Sequence, residues 1–519
     1  IGLPEVGLGI LPGFGGSIRL PRLLGLAKSL PLILGGQVVS AKRASRLGMV
    51  DRLFDSEQLA QKSFEFAEEV VSKKLKPKKR NPLKVLVEKL FVGPWMAYPA
   101  AKSNVLKRTK GHYPAPLKTL ELIEKTYGRN GGRVFQEEST SFSKLAVTEV
   151  SKNLIKLFFL SERYKKRAWT QTPGKHAPVK QCGVIGAGIM GGGIAQLVSF
   201  KDIPVKVRDI SPEALAGAVK EAERIYERAL KRGKVSEAAA RKKMGLISTR
   251  ASENEMAASD FIVEAVVENM KVKKIVFNEW DEKTSEKTIL ASNTSSLSVS
   301  EMSREVKHPE RVVGLHFFNP VYRMPLVEVI RAEKTSDETI ERTIQFARAL
   351  GKTVIVTKDT PGFLVNRLLL PYLNETAYLL DEGVPMESID RAVRQFGMPM
   401  GPVELVDQIG IDVAYKVAQV LEAAFGDRMK VSSILQKIHE AGFLGKKSGK
   451  GFYTYEQGKK RGPNPEVNDF LGTPRKFSTE ELIQRLTYVM INEAGYCLEE
   501  HVIDEPSTVD VGMVMGTGF

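Results

Sequence analysis

Residues 179–185 read as a short apolar strand, Gly186-Ala187-Gly188-Ile189-Met190-Gly191 follows as a GxGxxG turn, and residues 191–200 read as a helix. A second strand at 205–208 ends at Asp209. This order restricts the fold more than any other stretch, because it specifies a βαβ unit whose turn faces a dinucleotide. Gly186 permits the tight turn, Gly188 lets the backbone approach a pyrophosphate, and Gly191 lets the helix pack closely on the sheet. The helix start offers free N–H groups and a partial positive charge to the phosphates. Asp209 stands 21 residues after Gly188, near the spacing of about 20 expected of the acid that binds the ribose 2′-hydroxyl. Its carboxylate would repel a 2′-phosphate, so NAD is favoured over NADP. Strand alternation turns the adjacent Arg208 to the other face.

Further strands at 261–267 and 288–291 alternate with helical stretches, the longest at 211–243. That alternation predicts an α/β fold with a parallel sheet and helices on both faces. Residues 311–318 and 324–330 read as two more strands, joined by 319–323. His316 and Glu328 lie 12 residues apart on them, and such a connection can set the two side chains together. A histidine beside a carboxylate is a good general base, because the acid fixes its tautomer and stabilises the imidazolium.

From Pro361 onward the pattern is mostly helical, and it repeats. Arg367, Leu368, Asn374, Glu375, Tyr378, Leu380 and Glu382 recur as Arg485, Leu486, Asn492, Glu493, Tyr496, Leu498 and Glu500, at a constant offset of 118. Two copies of one helical unit, packed on each other, are expected. Asn366 corresponds to Gln484 in the second copy, so a function at Asn366 would belong to the first copy alone.

The 519 residues leave room for about three domains. No stretch approaches the ~18 uninterrupted apolar residues of a membrane span. Cys182 and Cys497 are too few for a disulfide framework and point to a reducing compartment. The net charge of +16 would attract a polyanion, but no aromatic-basic nucleic-acid motif accompanies it. The phosphates of a coenzyme are a sufficient counterpart. The densest basic run, at 73–80, reads as an exposed linker. Both ends look cut, since Ile1 is not an initiator methionine and Gly516-Thr517-Gly518-Phe519 carries no helix stop.

Three ordered motifs carry a family resemblance: Ser292-Asn293-Thr294-Ser295-Ser296-Leu297, His316-Phe317-Phe318-Asn319-Pro320, and Lys358-Asp359-Thr360-Pro361-Gly362-Phe363-Leu364-Val365-Asn366-Arg367. Together they resemble 3-hydroxyacyl-CoA dehydrogenases over residues 179–519. The resemblance implies that His316 is the general base and Glu328 its partner. Ser295 and Asn366 would bond the hydroxyl and thioester carbonyl region of a 3-hydroxyacyl-CoA. Gly186, Gly188, Met190, Gly191, Asp209, Val266, Val267, Glu268, Lys273, Ser295 and Asn319 would contact NAD, and no metal is implied. The expected domains are a Rossmann-type NAD-binding domain at 179–359, a helical dehydrogenase domain at 360–460 and a shortened second copy at 475–519.

Leu3-Pro4-Glu5-Val6-Gly7-Leu8-Gly9-Ile10-Leu11-Pro12-Gly13-Phe14-Gly15-Gly16 resembles the second half of an enoyl-CoA hydratase (crotonase) domain. That domain is expected at 1–80, with a helical linker at 81–178. The order is similar to the multifunctional alpha subunits of fatty acid oxidation complexes. It implies acyl-CoA substrates, a thiolase partner subunit and a cytoplasmic location. Glu5 would be one of two hydratase glutamates, with its companion and the oxyanion-hole amides upstream of Ile1, so hydratase activity is expected of a longer protein. Two other readings remain. A sugar-acid dehydrogenase would use a lysine in place of the His316/Glu328 pair. A non-enzymatic NAD-binding scaffold would lack one of His316, Glu328, Ser295 or Asn366.

Overall fold

In the computed structural model, which describes residues 1–72, 81–171 and 174–519, the chain divides into two units, Ile1–Leu160 and Ser161–Phe519. The basic run at 73–80 lies outside the described residues, as do two positions of the linker at 171–178.

The first unit is helical among its described residues, with no strand. Helices Gly16–Leu24, Leu26–Leu34 and Pro114–Thr126 pack around Leu26, Leu30, Ile33, Leu120 and Ile123. The first of these begins after Gly15, which has no side chain to cap it. Glu138, buried on helix Arg133–Ala146, takes that role by accepting Gly15 N at 2.6 Å and Ser17 N at 3.1 Å. Free N–H groups of a first turn need such acceptors. The amphipathic helix expected at 56–75 covers Leu59–Val71.

The second unit is built on an eight-stranded sheet: β1 (Cys182–Ile185), β2 (Val205–Arg208), β3 (Ile247–Ser248), β4 (Phe261–Glu264), β5 (Ile289–Ser292), β6 (Val312–Phe317), β7 (Leu326–Arg331) and β8 (Thr353–Lys358). Their spatial order is β3-β2-β1-β4-β5-β6-β7-β8. The six strands from β3 to β6 are parallel, β7 is antiparallel to β6, and β8 is parallel to β7. The sheet is therefore not wholly parallel, as the alternation of strands and helices had implied. The link from β6 to β7 is too short for a crossover, which takes a dozen or more residues. β3 and β8 add to the strands expected from sequence. The helix expected at 211–243 is two, Pro212–Lys231 and Glu237–Met244, separated where Gly233 turns left-handed.

One face of the sheet packs on α1 (Ile189–Phe200) and on Asp337–Ala349, through Ile194, Val198, Ile340 and Ile344. The other packs on Met270–Lys283 through Phe277 and Trp280. Every residue of β1, β4, β5 and β6 is buried. Two covered faces account for continuous apolar strands where a one-sided sheet would alternate. A hairpin of β9 (Tyr453–Glu456) and β10 (Lys459–Pro463) interrupts the helical C-terminal part.

The repeated helices α2 (Val365–Asp381) and α3 (Thr479–Glu499) pack on each other, and their charges pair reciprocally. Arg367 reaches Glu493 at 2.6 Å and Glu500 at 2.7 Å, while Arg485 reaches Glu375 and Glu382, each at 2.8 Å. Each arginine thus grips the two acids of the opposite copy. The halves are unequal in depth: Arg367 and Glu493 are buried, whereas Arg485, Glu375 and Glu382 are part-exposed. Arg367→Met should therefore lower urea-unfolding stability by about 3 kcal/mol, by leaving a buried carboxylate without its main partner. Arg485→Met should cost about 1 kcal/mol or less. Equal losses would contradict this difference.

Candidate active site

The antiparallel register of β6 and β7 sets His316 directly opposite Glu328. His316 Nδ1 lies 2.7 Å from Glu328 Oε2. A carboxylate accepts, so Nδ1 carries the hydrogen and Nε2 keeps its lone pair. Glu328 is 0% exposed. Its Oε1 accepts the backbone N–H groups of Leu364 at 3.1 Å and Val365 at 3.0 Å, at the start of α2. One buried carboxylate thus orients the imidazole and holds the first turn of a helix. The imidazole lies against the rings of Phe318 and Phe363, with centroids at 4.5 and 5.9 Å.

The next residue of that helix, Asn366, donates Nδ2 to the carbonyl oxygen of Ser295 at 2.9 Å. Ser295 follows β5, and Asn293 in the same loop accepts Phe317 N at 2.9 Å, which ties the loop to β6. Ser295 donates its N–H to Glu268 Oε1 at 3.0 Å, and Thr294 Oγ1 donates to the same oxygen at 2.6 Å. His316, Glu328, Asn366, Ser295 and Glu268 are therefore joined by one run of hydrogen bonds and backbone.

Lys273, for which the resemblance implies a cofactor contact, sits between two carboxylates. It is 1% exposed, with Nζ 2.7 Å from Glu264 Oε1 and 3.3 Å from Glu268 Oε2. Paired with two carboxylates, it holds Glu268 and keeps a third N–H donor. Burial pushes the Glu268 carboxyl up, but Lys273, Thr294 and Ser295 outweigh it and keep the group below the ordinary carboxylate range. Glu264 was not foreseen. It is buried at the end of β4 and also accepts Val266 N at 2.7 Å and Ser292 Oγ at 2.6 Å. An acid closing the otherwise apolar strand Phe261-Ile262-Val263-Glu264 was the available signal.

The glycine turn lies between β1 and α1. Gly186 has φ +99°, and a Cβ there would stand 2.5 Å from Ala265 O. A Cβ on Gly191 would stand 1.9 Å from Gly186 O, so the close approach is to the turn's own carbonyl. Around Gly188 there is open space. Asp209 Oδ2 accepts Ala187 N at 2.6 Å, which aims the carboxylate at the same turn. Beside it Ile210 is fully exposed, as are most of Ile189 and Val267. These features fit NAD: backbone amides and open room for a pyrophosphate, an acid for a ribose, and exposed apolar side chains for a ring. Asn319 is exposed in the connection after β6, Met190 is half-buried, and Val266 is held through Glu264.

Glu5 belongs to the first unit. It borders a cavity of about 1300 Å³ also lined by Leu3, Phe14, Arg19 and Arg22. Its Oε2 is buried and has no hydrogen-bond partner among the described residues. No cluster of metal-binding side chains and no helix long and apolar enough to cross a membrane occurs among the described residues.

A dinucleotide turn and a buried histidine–carboxylate pair on one sheet define an NAD-dependent dehydrogenase. The family model described as 3-hydroxyacyl-CoA dehydrogenase, NAD binding domain, matches residues 181–360, and that of the C-terminal domain matches 362–455. The model for enoyl-CoA hydratase/isomerase matches residues 1–90. The fatty acid oxidation complex subunit alpha of Shewanella amazonensis is 39% identical over 525 residues, covering 100% of this chain and 74% of that one. The chain belongs to the family of fatty acid oxidation complex alpha subunits. Among solved structures, 3-hydroxybutyryl-CoA dehydrogenase of Escherichia coli K12 aligns with a TM-score of 0.59 and 29% identity, over 66% of this chain and 90% of that one. The (S)-3-hydroxybutyryl-CoA dehydrogenase of Ralstonia eutropha aligns with a TM-score of 0.52 and 36% identity, over 54% and 100%.

The glycines can be told apart experimentally. Gly188→Ala should leave the melting temperature unchanged and weaken NAD binding about tenfold or more, because only the bound pyrophosphate needs that space. Gly191→Ala should lower the melting temperature itself. Equal effects on melting would contradict the geometry.

Proposed function

We propose that the second unit oxidises 3-hydroxyacyl-CoA to 3-ketoacyl-CoA, with His316 as the base. The observation that carries this reading is the 2.7 Å contact between His316 Nδ1 and a fully buried Glu328. With Nδ1 committed as donor, Nε2 is the nitrogen free to take the proton of the substrate's 3-hydroxyl. Glu328 stabilises the imidazolium that forms. Bound NAD supplies the acceptor for the C3 hydride. Ser295 and Asn366 hold the hydroxyl and thioester carbonyl region, and the bonds of Asn366 to Ser295 and of Ser295 to Glu268 fix that orientation before substrate arrives. Asp209 receives the ribose, and Glu268 and Lys273 contact the cofactor. The His316/Glu328 pair supports this reading over a lysine-based sugar-acid mechanism.

The domain assignment proposed from sequence rests on the same features: 1–80 crotonase part, 81–178 helical linker, 179–359 NAD-binding domain, then helical copies at 360–460 and 475–519. Glu5 is proposed as a hydratase carboxylate, supported by its unpartnered buried oxygen at a large cavity. A thiolase partner is in keeping with the word complex in the relative's name. Co-purification of a CoA-dependent thiolytic activity checks it.

NADH formation from a 3-hydroxyacyl-CoA series is the decisive assay. His316→Ala should lower kcat by about 10²–10⁴ and leave NADH binding unchanged. Glu5→Gln should leave NADH formation intact while lowering any crotonyl-CoA hydration. Equal rates for wild type and His316→Ala would end this mechanism.

A further inference from the structure

Lys352 belongs to none of the sequence motifs. It stands between helix Asp337–Ala349 and β8 and is 7% exposed. Its Nζ donates to Val321 O at 2.5 Å and to Met324 O at 2.6 Å. Both carbonyls belong to the connection between β6 and β7. No carboxylate pairs with this ammonium among the described residues. Burial pushes the Lys352 ammonium down to about 8, and the like charge of Lys201 adds to the shift. A buried cation without an anion is costly, so its retention here needs a cause.

The connection it grips runs between the two reacting strands. It leaves β6 through Phe318 and Asn319, immediately after the strand that bears His316. It enters β7 at Leu326, two residues before Glu328. Midway, Val321 is buried against α1: a Cβ on Gly193 would meet Val321 Cγ2 at 3.1 Å. Thr353 N donates to Pro325 O at 2.8 Å and fixes the far end. Glu328 and His316 are also held by the β6–β7 ladder and by the amides of α2. Among the described residues no such hydrogen bond holds Asn319, and its placement depends on the connection.

We propose that Lys352 is a positioning residue for the dehydrogenase, whose ammonium pins the β6–β7 connection and so holds Asn319 toward the cofactor. The proposal rests on the reading of Asn319 as an NAD contact. It assigns Lys352 to cofactor binding and not to proton transfer, which a KM-against-kcat split can read.

The test uses the whole chain and steady-state NADH formation, with melting temperature recorded in parallel. Lys352→Met keeps the aliphatic stem and removes the donors. It should raise KM for NAD about tenfold, with kcat and the KM for the acyl-CoA within about twofold. Lys352→Arg should recover part of the loss. Asn319→Ala should raise KM for NAD similarly, and the double variant should be no worse than the poorer single one. A folded Lys352→Met with a lower melting temperature and unchanged KM for NAD overturns the proposal. Should that variant not fold, Lys352→Gln, which keeps one donor, must show the same selective rise at smaller size; an unchanged KM in it overturns the proposal equally. Asn319→Ala with unchanged KM overturns the reading of Asn319 on which the proposal rests, whereas a rise in Asn319→Ala alone overturns only the role of Lys352.

Discussion

The carboxylate of Glu328 is the contact on which the dehydrogenase site depends. It is fully buried, and its two oxygens are separately engaged. Oε2 accepts from His316, and Oε1 accepts from the first amides of α2. A buried charge is tolerated where its lone pairs are satisfied. Here satisfying them also sets the imidazole tautomer and fixes where α2 begins. Because Asn366 is the second residue of that helix, its distance from the base follows from the same anchoring.

A second run of polar groups carries the cofactor side. Glu264 and Lys273, both buried, and the part-exposed Glu268 form an acid–base–acid series that ends on Ser295 and Thr294. Removing Lys273 would leave the buried Glu264 carboxylate without its cation, a costly loss. The loop bearing Val266 and Val267 is thereby linked to the loop bearing Ser295. Farther out, the reciprocal arginine pairs of α2 and α3 brace the helix that carries Asn366.

Much of this was legible in the sequence, for identifiable reasons. The βαβ turn announces itself because three glycines answer separate steric demands within six residues. The His316/Glu328 pair was readable because a short link between two strands forces antiparallel register. The 118-residue repeat survived as charges, since each arginine needs acids at fixed helical spacing. Other features could not be read. The placement of β8 beside β7 depends on which sheet edge the chain returns to after its helix. The burial of Lys273 depends on Glu264, whose partners lie on three separate segments. Lys352 was silent because its partners are backbone carbonyls, which leave no trace in side-chain pattern.

The central claim, that His316 and Glu328 act as one unit, is tested most directly by a double-mutant cycle on kcat for 3-hydroxyacyl-CoA oxidation. His316→Ala, Glu328→Gln and the double variant should be compared at saturating NAD. Residues that act as a unit are grossly non-additive, so the double variant should lose no more than His316→Ala alone. Losses that multiply would show two independent contributions and contradict the account.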